Sequence, residues 1–138
     1  MGGLLLCSFI GCGKKLPTAT LHPVEGVFRW HGVAAEKATV ILHPSGNPQP
    51  KDWPGGYPRG VVDASGTFRI STFKPGDGAP AGEYVILLRW LERPDEEDEH
   101  AESPNLDLLE NKFSDPQKST LKVTVSAGKN VLSPVELP

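Results

Sequence analysis

Tyr84-Val-Ile-Leu-Leu-Arg-Trp90 constrains this chain more than any other stretch. In an extended backbone successive side chains point to opposite faces, so Tyr84, Ile86, Leu88 and Trp90 share one face and Val85, Leu87 and Arg89 the other. A strand apolar on both faces for most of its length belongs in the middle of a sheet. Just before it, Pro75, Gly76, Gly78, Pro80 and Gly82 interrupt any regular element. Further upstream, Asp63-Ala-Ser-Gly66 is turn chemistry, and Phe68 and Ile70 alternate with Thr67, Arg69 and Ser71 as a second strand. Two strands cannot bury a core alone, so the rest of the chain has to supply their partners.

Candidates are easily found. Val24 to Trp30 places Val24, Gly26, Phe28 and Trp30 on one face, and Ala38 to His43 turns Ala38, Val40 and Leu42 inward. Arg59 to Val62 is a short strand leading into the central stretch. Leu121, Val123 and Val125 alternate with Lys122, Thr124 and Ser126, and after the turn Ala127-Gly-Lys-Asn130 the segment Val131 to Leu137 closes the sheet, with Pro134 pointing to an edge position. Asn105 to Lys118 reads as an irregular approach with a helical turn at Leu106 to Leu109. The 15 Gly and 14 Pro among 138 residues favour turns and short strands over long helices. The expected fold is all-β: a single antiparallel β-sandwich of about seven strands.

Charge is unevenly placed. The net charge is −3, which offers no basic footprint for nucleic acid. Arg93 to Glu102 alone holds six acidic residues and one basic, so the acidity belongs to one solvated loop. Pro44 to Pro58, with five prolines and three glycines, is a surface loop.

Residue order adds a family resemblance. Asp63-x-x-Gly-x-Phe68, the Pro/Gly loop and Pro80-Ala-Gly-x-Tyr-x-Ile86 together resemble the carboxypeptidase regulatory-like or transthyretin-like β-sandwich domain. The segment Asp77 to Tyr84 is especially similar to that of small bacterial surface lipoproteins. The opening pair, Val24-x-Gly-x-Phe28 followed by Ala38-x-Val-x-Leu42, resembles the same family, and the likeness runs from about Leu21 to Pro138. Near the start, Leu4 to Ile10 is too short to span a bilayer, and Phe9-Ile-Gly-Cys12 resembles a bacterial lipobox. That resemblance implies cleavage before Cys12 and acylation of its thiol and new amino group. The competing reading of this stretch is a buried N-terminal strand. The implied organisation is a signal peptide over 1–11, a tether over 12–23 and the sandwich domain over 24–138.

The candidate chemistry is thin. His22, His31, His43 and His100 lie in turns, strand ends or the acidic loop without a nucleophile motif, and no catalytic residue is assigned. The hydrolase branch of transthyretin-like proteins ends in Tyr-Arg-Gly-Ser, where this chain ends in Val135-Glu-Leu-Pro138. Asp95, Glu96, Glu97, Asp98 and Glu99 offer oxygen ligands for calcium, but their spacing fits a solvated charge run better than a calcium loop. Trp53 and Tyr57 put two aromatics on the Pro/Gly loop, a pattern suited to sugar recognition or to packing on the end of the sheets. Trp30 and Trp90 are expected in the core. The expectation is a non-enzymatic module with no cofactor, exposed outside the cytoplasm in the cell envelope. It would be held to the membrane by lipid on Cys12 and would act on an envelope protein or a glycan. The alternative is a carbohydrate- or solute-binding domain centred on Trp53.

Overall fold

The computed structural model describes residues 20–45, 56–93 and 105–137. These form eleven strands and, among the described residues, no helix: β1 (Leu21–His22), β2 (Val24–Trp30), β3 (Val33–Ala34), β4 (Thr39–Pro44), β5 (Arg59–Val61), β6 (Thr67–Arg69), β7 (Ala79–Pro80), β8 (Gly82–Arg89), β9 (Lys122–Val125), β10 (Asn130–Val131) and β11 (Val135–Leu137). The fold is all-β. Four of the eleven are only two residues long.

One sheet has the order β5-β4-β8-β9. As its two apolar faces required, β8 is internal, paired antiparallel with β4 from Thr39↔Arg89 to Pro44↔Tyr84 and with β9 from Gly82↔Val125 to Val85↔Lys122. The other large sheet, of five strands, is built around β2, and β1 and β7 form a third, two-stranded one. Even-numbered residues of β2 bond toward β3 and β6: Phe28 N–H donates to Gly66 O, and Phe28 O and Val24 O accept from Ala35 and Ile70 N–H. On the opposite edge Pro23 O and Glu25 O accept from Asn130 and Leu132 N–H, and His31 N–H donates to Leu137 O.

That second edge corrects the expectation of a purely antiparallel fold. β10 and β11 run parallel to β2, because the chain leaves β9 in one sheet, turns at residues 126–129 and arrives beside β2 travelling in its direction. The register slips by one residue between Val131↔Glu25 and Val135↔Phe28, a bulge containing Pro134. A bulge is where a residue without an N–H is tolerated, and the closing segment does lie at an edge. Two further expectations change. Residues 108–113 form consecutive turns, with Glu110 and Asn111 at positive φ, where a helical turn was expected at Leu106 to Leu109. Pairing also begins before Val24, because Leu21 and His22 bond antiparallel to Pro80 and Ala79.

Both sheets feed one apolar cluster. Val24 and Phe28 of β2 and Phe68 of β6 join Val40 and Leu42 of β4, Ile86 and Leu88 of β8 and Val125 of β9. Gly26 lies opposite Phe68 in the register, and a Cβ there would stand 2.6 Å from Phe68 Cζ, so the ring fills the space a side chain would occupy. The sheets also meet through hydrogen bonds on one side: Arg59 and Ser71 exchange N–H···O bonds of 3.0 and 2.8 Å. On the other side, among the described residues, no pairing joins β9 to the C-terminal segment, and a groove of about 520 Å3 of mixed polar and apolar lining runs between them.

Close backbone approaches fix these junctions. A Cβ on Gly78, at φ 95°, would fall against His22 O, and one on Gly60 against Arg69 O. Gly76, at φ 72°, faces open space. Gly78→Ala and Gly60→Ala are therefore expected to lose about 3 kcal/mol or more in urea unfolding. Gly76→Ala is expected to lose only about 1 kcal/mol, from its left-handed backbone alone.

Candidate functional site

Short strands leave many loop N–H groups outside any ladder, and these need acceptors. Aspartates supply them. Asp77 accepts from the N–H groups of Thr72, Phe73 and Lys74 at 2.6–2.9 Å, and Asp63 accepts from Ser65 and Thr67 N–H and from the Ser65 hydroxyl. Asp107, only 8% exposed, accepts from Trp90, Leu109 and Asn111 N–H at 2.9–3.1 Å. Asp115 accepts from Gln117 N–H. Each uses its carboxylate as a loop acceptor, as short polar side chains commonly do.

Two of these carboxyls titrate low. The Ser65 hydroxyl, followed by the Thr67 N–H, pulls Asp63 below the usual carboxylate value. Burial pushes Asp77 upward, but the N–H groups of Thr72, Lys74 and Phe73 outweigh it and its net shift is down. Tyr84 moves the other way, raised by burial to about 12. Its hydroxyl donates to Pro80 O, four residues upstream, at 2.6 Å.

The described histidines are each in structural contact. His22 Nδ1 accepts from Gly128 N–H at 3.2 Å, His31 stacks on Trp30 with ring centroids 3.9 Å apart, and His43 meets Tyr57 edge to face at 4.8 Å. Tyr57 is half-buried in that contact. Its expected companion Trp53, the lipidation candidate Cys12, His100 and the acidic run Asp95, Glu96, Glu97, Asp98 and Glu99 all lie outside the described residues. Among the described residues, no group of three or more His, Cys, Asp or Glu is placed to hold a metal ion, and no helix is long and apolar enough to cross a membrane.

A concavity lined by Trp30, His31 and Phe113 lies at the far end of β4 and β8 from Tyr57. Trp90 follows Arg89, which pairs with Thr39, whereas His43 and Pro44 end β4 on the other side. There Trp30 meets Trp90 in a T-shaped contact at 5.6 Å, and the Trp90 indole N–H donates to Glu36 O. Both tryptophans are partly buried against the core. Trp30 and His31, together with Leu137 and the turns from Leu108 to Phe113, enclose a cleft of about 290 Å3.

The 108–113 segment is held in place by Asp107 and by backbone bonds of Leu108 N–H to Trp90 O and Leu88 N–H to Phe113 O. On it, Glu110 and Lys112 form an exposed ion pair at 3.2 Å. Sequence reasoning placed Trp30 in the core and missed this cleft. The only local signal was Asp107 followed by Asn111, both of them turn formers. Comparison with known protein families, curated proteins and solved structures finds no match to the chain.

Two pH effects follow. Because the Asp77 carboxyl titrates low, its contribution is present above the unfolded value near pH 4 and is lost as pH falls through its folded value. Asp77→Asn is expected to lose about 2 kcal/mol at pH 7, with the gap to wild type closing in urea titrations below about pH 4. Tyr84 is raised, so its contribution holds below about pH 10 and is lost as pH rises toward 12. Tyr84→Phe is expected to flatten that alkaline decline and to lose about 1 kcal/mol at neutral pH from the missing hydrogen bond.

Proposed function

We propose that the chain is a non-catalytic module of the cell envelope. It is held outside the cytoplasm by lipid on Cys12, carries a two-sheet sandwich of the carboxypeptidase regulatory-like type over about residues 21–138, and engages an envelope protein or a glycan. The observation that carries the fold part of this reading is the Tyr84 hydroxyl bonded to Pro80 O at the entry to an internal strand. A buried tyrosine tied back a few residues upstream at a strand entry is a device of β-sandwich domains. It gives the Pro80-Ala-Gly-x-Tyr84 motif a physical purpose. One apolar cluster fed by both sheets supports the same reading.

The use of aspartates and histidines supports a binding or structural role over catalysis. Asp63, Asp77, Asp107 and Asp115 hold loops, and His22, His31 and His43 are engaged by neighbours. The one carboxylate–hydroxyl contact among these, Ser65 donating to Asp63 at 2.6 Å, closes an exposed turn, and the histidine contacts join a backbone N–H or another ring. For the anchor, each buried methylene contributes about 0.8 kcal/mol, so two or three acyl chains on one residue would hold the protein at the membrane.

Metabolic labelling with a fatty-acid probe tests the anchor. The expected result is label on the wild-type chain, none on Cys12→Ala, and release of that variant from the membrane fraction. Equal labelling of both, or an unlabelled wild type in the cytosol with residues 1–11 uncut, would refute it.

A further inference from the structure

We infer that the cleft between Trp30 and the turns at residues 108–113 is a binding site for a small neutral saccharide. Nothing in this inference requires the lipid anchor. The first ground is the chemistry of the walls. Trp30, Leu109 and Phe113 give apolar surface, while His31, Glu110 and Lys112 bring polar groups to the same concavity. A neutral imidazole both donates and accepts, a carboxylate only accepts and an ammonium only donates. A sugar ring has one C–H face for aromatic surface and hydroxyls that can donate and accept at once, so it matches this set.

The second ground is charge. Glu110 and Lys112 offset each other's charge at 3.2 Å, so the cleft offers little net charge to favour an ionic ligand. Two adjacent ring hydroxyls can instead engage both ions, one donating to Glu110 and the other accepting from Lys112. The volume, about 290 Å3, lies at the small end of ligand sites and suits one or two rings.

The third ground is backbone conformation. Among the described residues, four non-glycine residues have positive φ, and three of them belong to this place: His31 at 53°, Glu110 at 58° and Asn111 at 60°. His31 and Glu110 line the cleft, and Asn111 lies between Glu110 and Lys112. His31 with Gly32 makes the two-residue turn between Trp30 and Val33, where positive φ is the usual hairpin geometry, and Asn tolerates the region, so Glu110 is the residue held there at a cost. Here the Asp107 carboxylate over-determines the shape through its bonds to Trp90, Leu109 and Asn111 N–H. A loop fixed in advance loses less freedom when a ligand arrives.

The test titrates the full chain with glucose, galactose, mannose, N-acetylglucosamine and their β-1,4-linked disaccharides, followed by calorimetry and by the indole N–H signals of the three tryptophans. Glu110→Asn removes the carboxylate charge while keeping a residue that tolerates left-handed backbone, and Lys112→Met removes the ammonium. Both sites are exposed, and unchanged melting temperatures verify folding. At least one sugar is expected to bind saturably with a millimolar or tighter Kd. Each variant should weaken that binding at least tenfold, and Trp53→Ala should leave it unchanged. Three results would overturn the inference: no saturable binding by any of these sugars up to about 10 mM, binding indifferent to both cleft variants, or binding abolished by Trp53→Ala alone. Because acylation at Cys12 is read by a separate label, either reading can fail without the other.

Discussion

The interaction on which this structure depends is the capture of loop N–H groups, left over from strand pairing, by side-chain acceptors. Strands of two to eight residues satisfy few backbone groups by pairing, and three of the connections between them, 45–58, 70–78 and 90–121, are long. Asp63, Asp77 and Asp107 are such acceptors, each gathering two or three N–H groups from one loop onto one carboxylate. Charge-assisted bonds of this kind are stronger than neutral ones, and several converging on one group fix a loop as a unit. Asn130 does the same for the last turn, accepting from Ser126 N–H while donating to the carbonyls of Ser126 and Gly128.

Local pattern made much of the fold legible. The doubly apolar run Val85 to Leu88 placed β8 inside its sheet, and the alternation of Val24, Gly26 and Phe28 named the inward face of β2. Asp63-Ala-Ser-Gly66 is the turn its composition announces, closed by Gly66 N–H on Asp63 O. Long-range features were not legible. Nothing in Asn130 to Leu137 says whether it runs parallel or antiparallel to a strand a hundred residues earlier, because direction is set by the route of the intervening chain. The cleft was hidden for the same reason. Trp30, Leu109 and Leu137 come from three distant parts of the sequence, and alternation alone counted Trp30 with the core residues of its face. That alternation holds only until the strand ends, and Trp30 is the last residue of β2.

The two sheets differ in how their margins are treated. Where β5 meets the end of β6, Arg59 and Ser71 join them, and Gly60 lets the backbones touch. On the opposite side, among the described residues, β9 and the C-terminal segment each keep an unpaired edge beside a groove. Such edges invite pairing with other chains unless they are blunted. β9 has only four residues and begins with Lys122, and the C-terminal edge carries a bulge and Pro134. Both are devices that limit edge-to-edge association, so the groove is guarded by the composition of its own rims.

Strand direction ties the two functional readings together. The described chain enters at Leu21, beside Pro80 and just before β8 begins at Gly82. The cleft lies at the other end of the same strand, past Arg89 and around Trp90, and at the far end of β2 as well. At about 3.3 Å per residue, the eight residues of β8 put on the order of 25 Å between the two ends. A tether from Cys12 to Leu21 would therefore hold the molecule by the end opposite the cleft. Under the proposed anchor, Trp30, His31 and the 108–113 turns would lie at the end of the sheets remote from the point where the described chain enters. His43 and Tyr57 lie at the opposite end from the cleft, beside the start of β8.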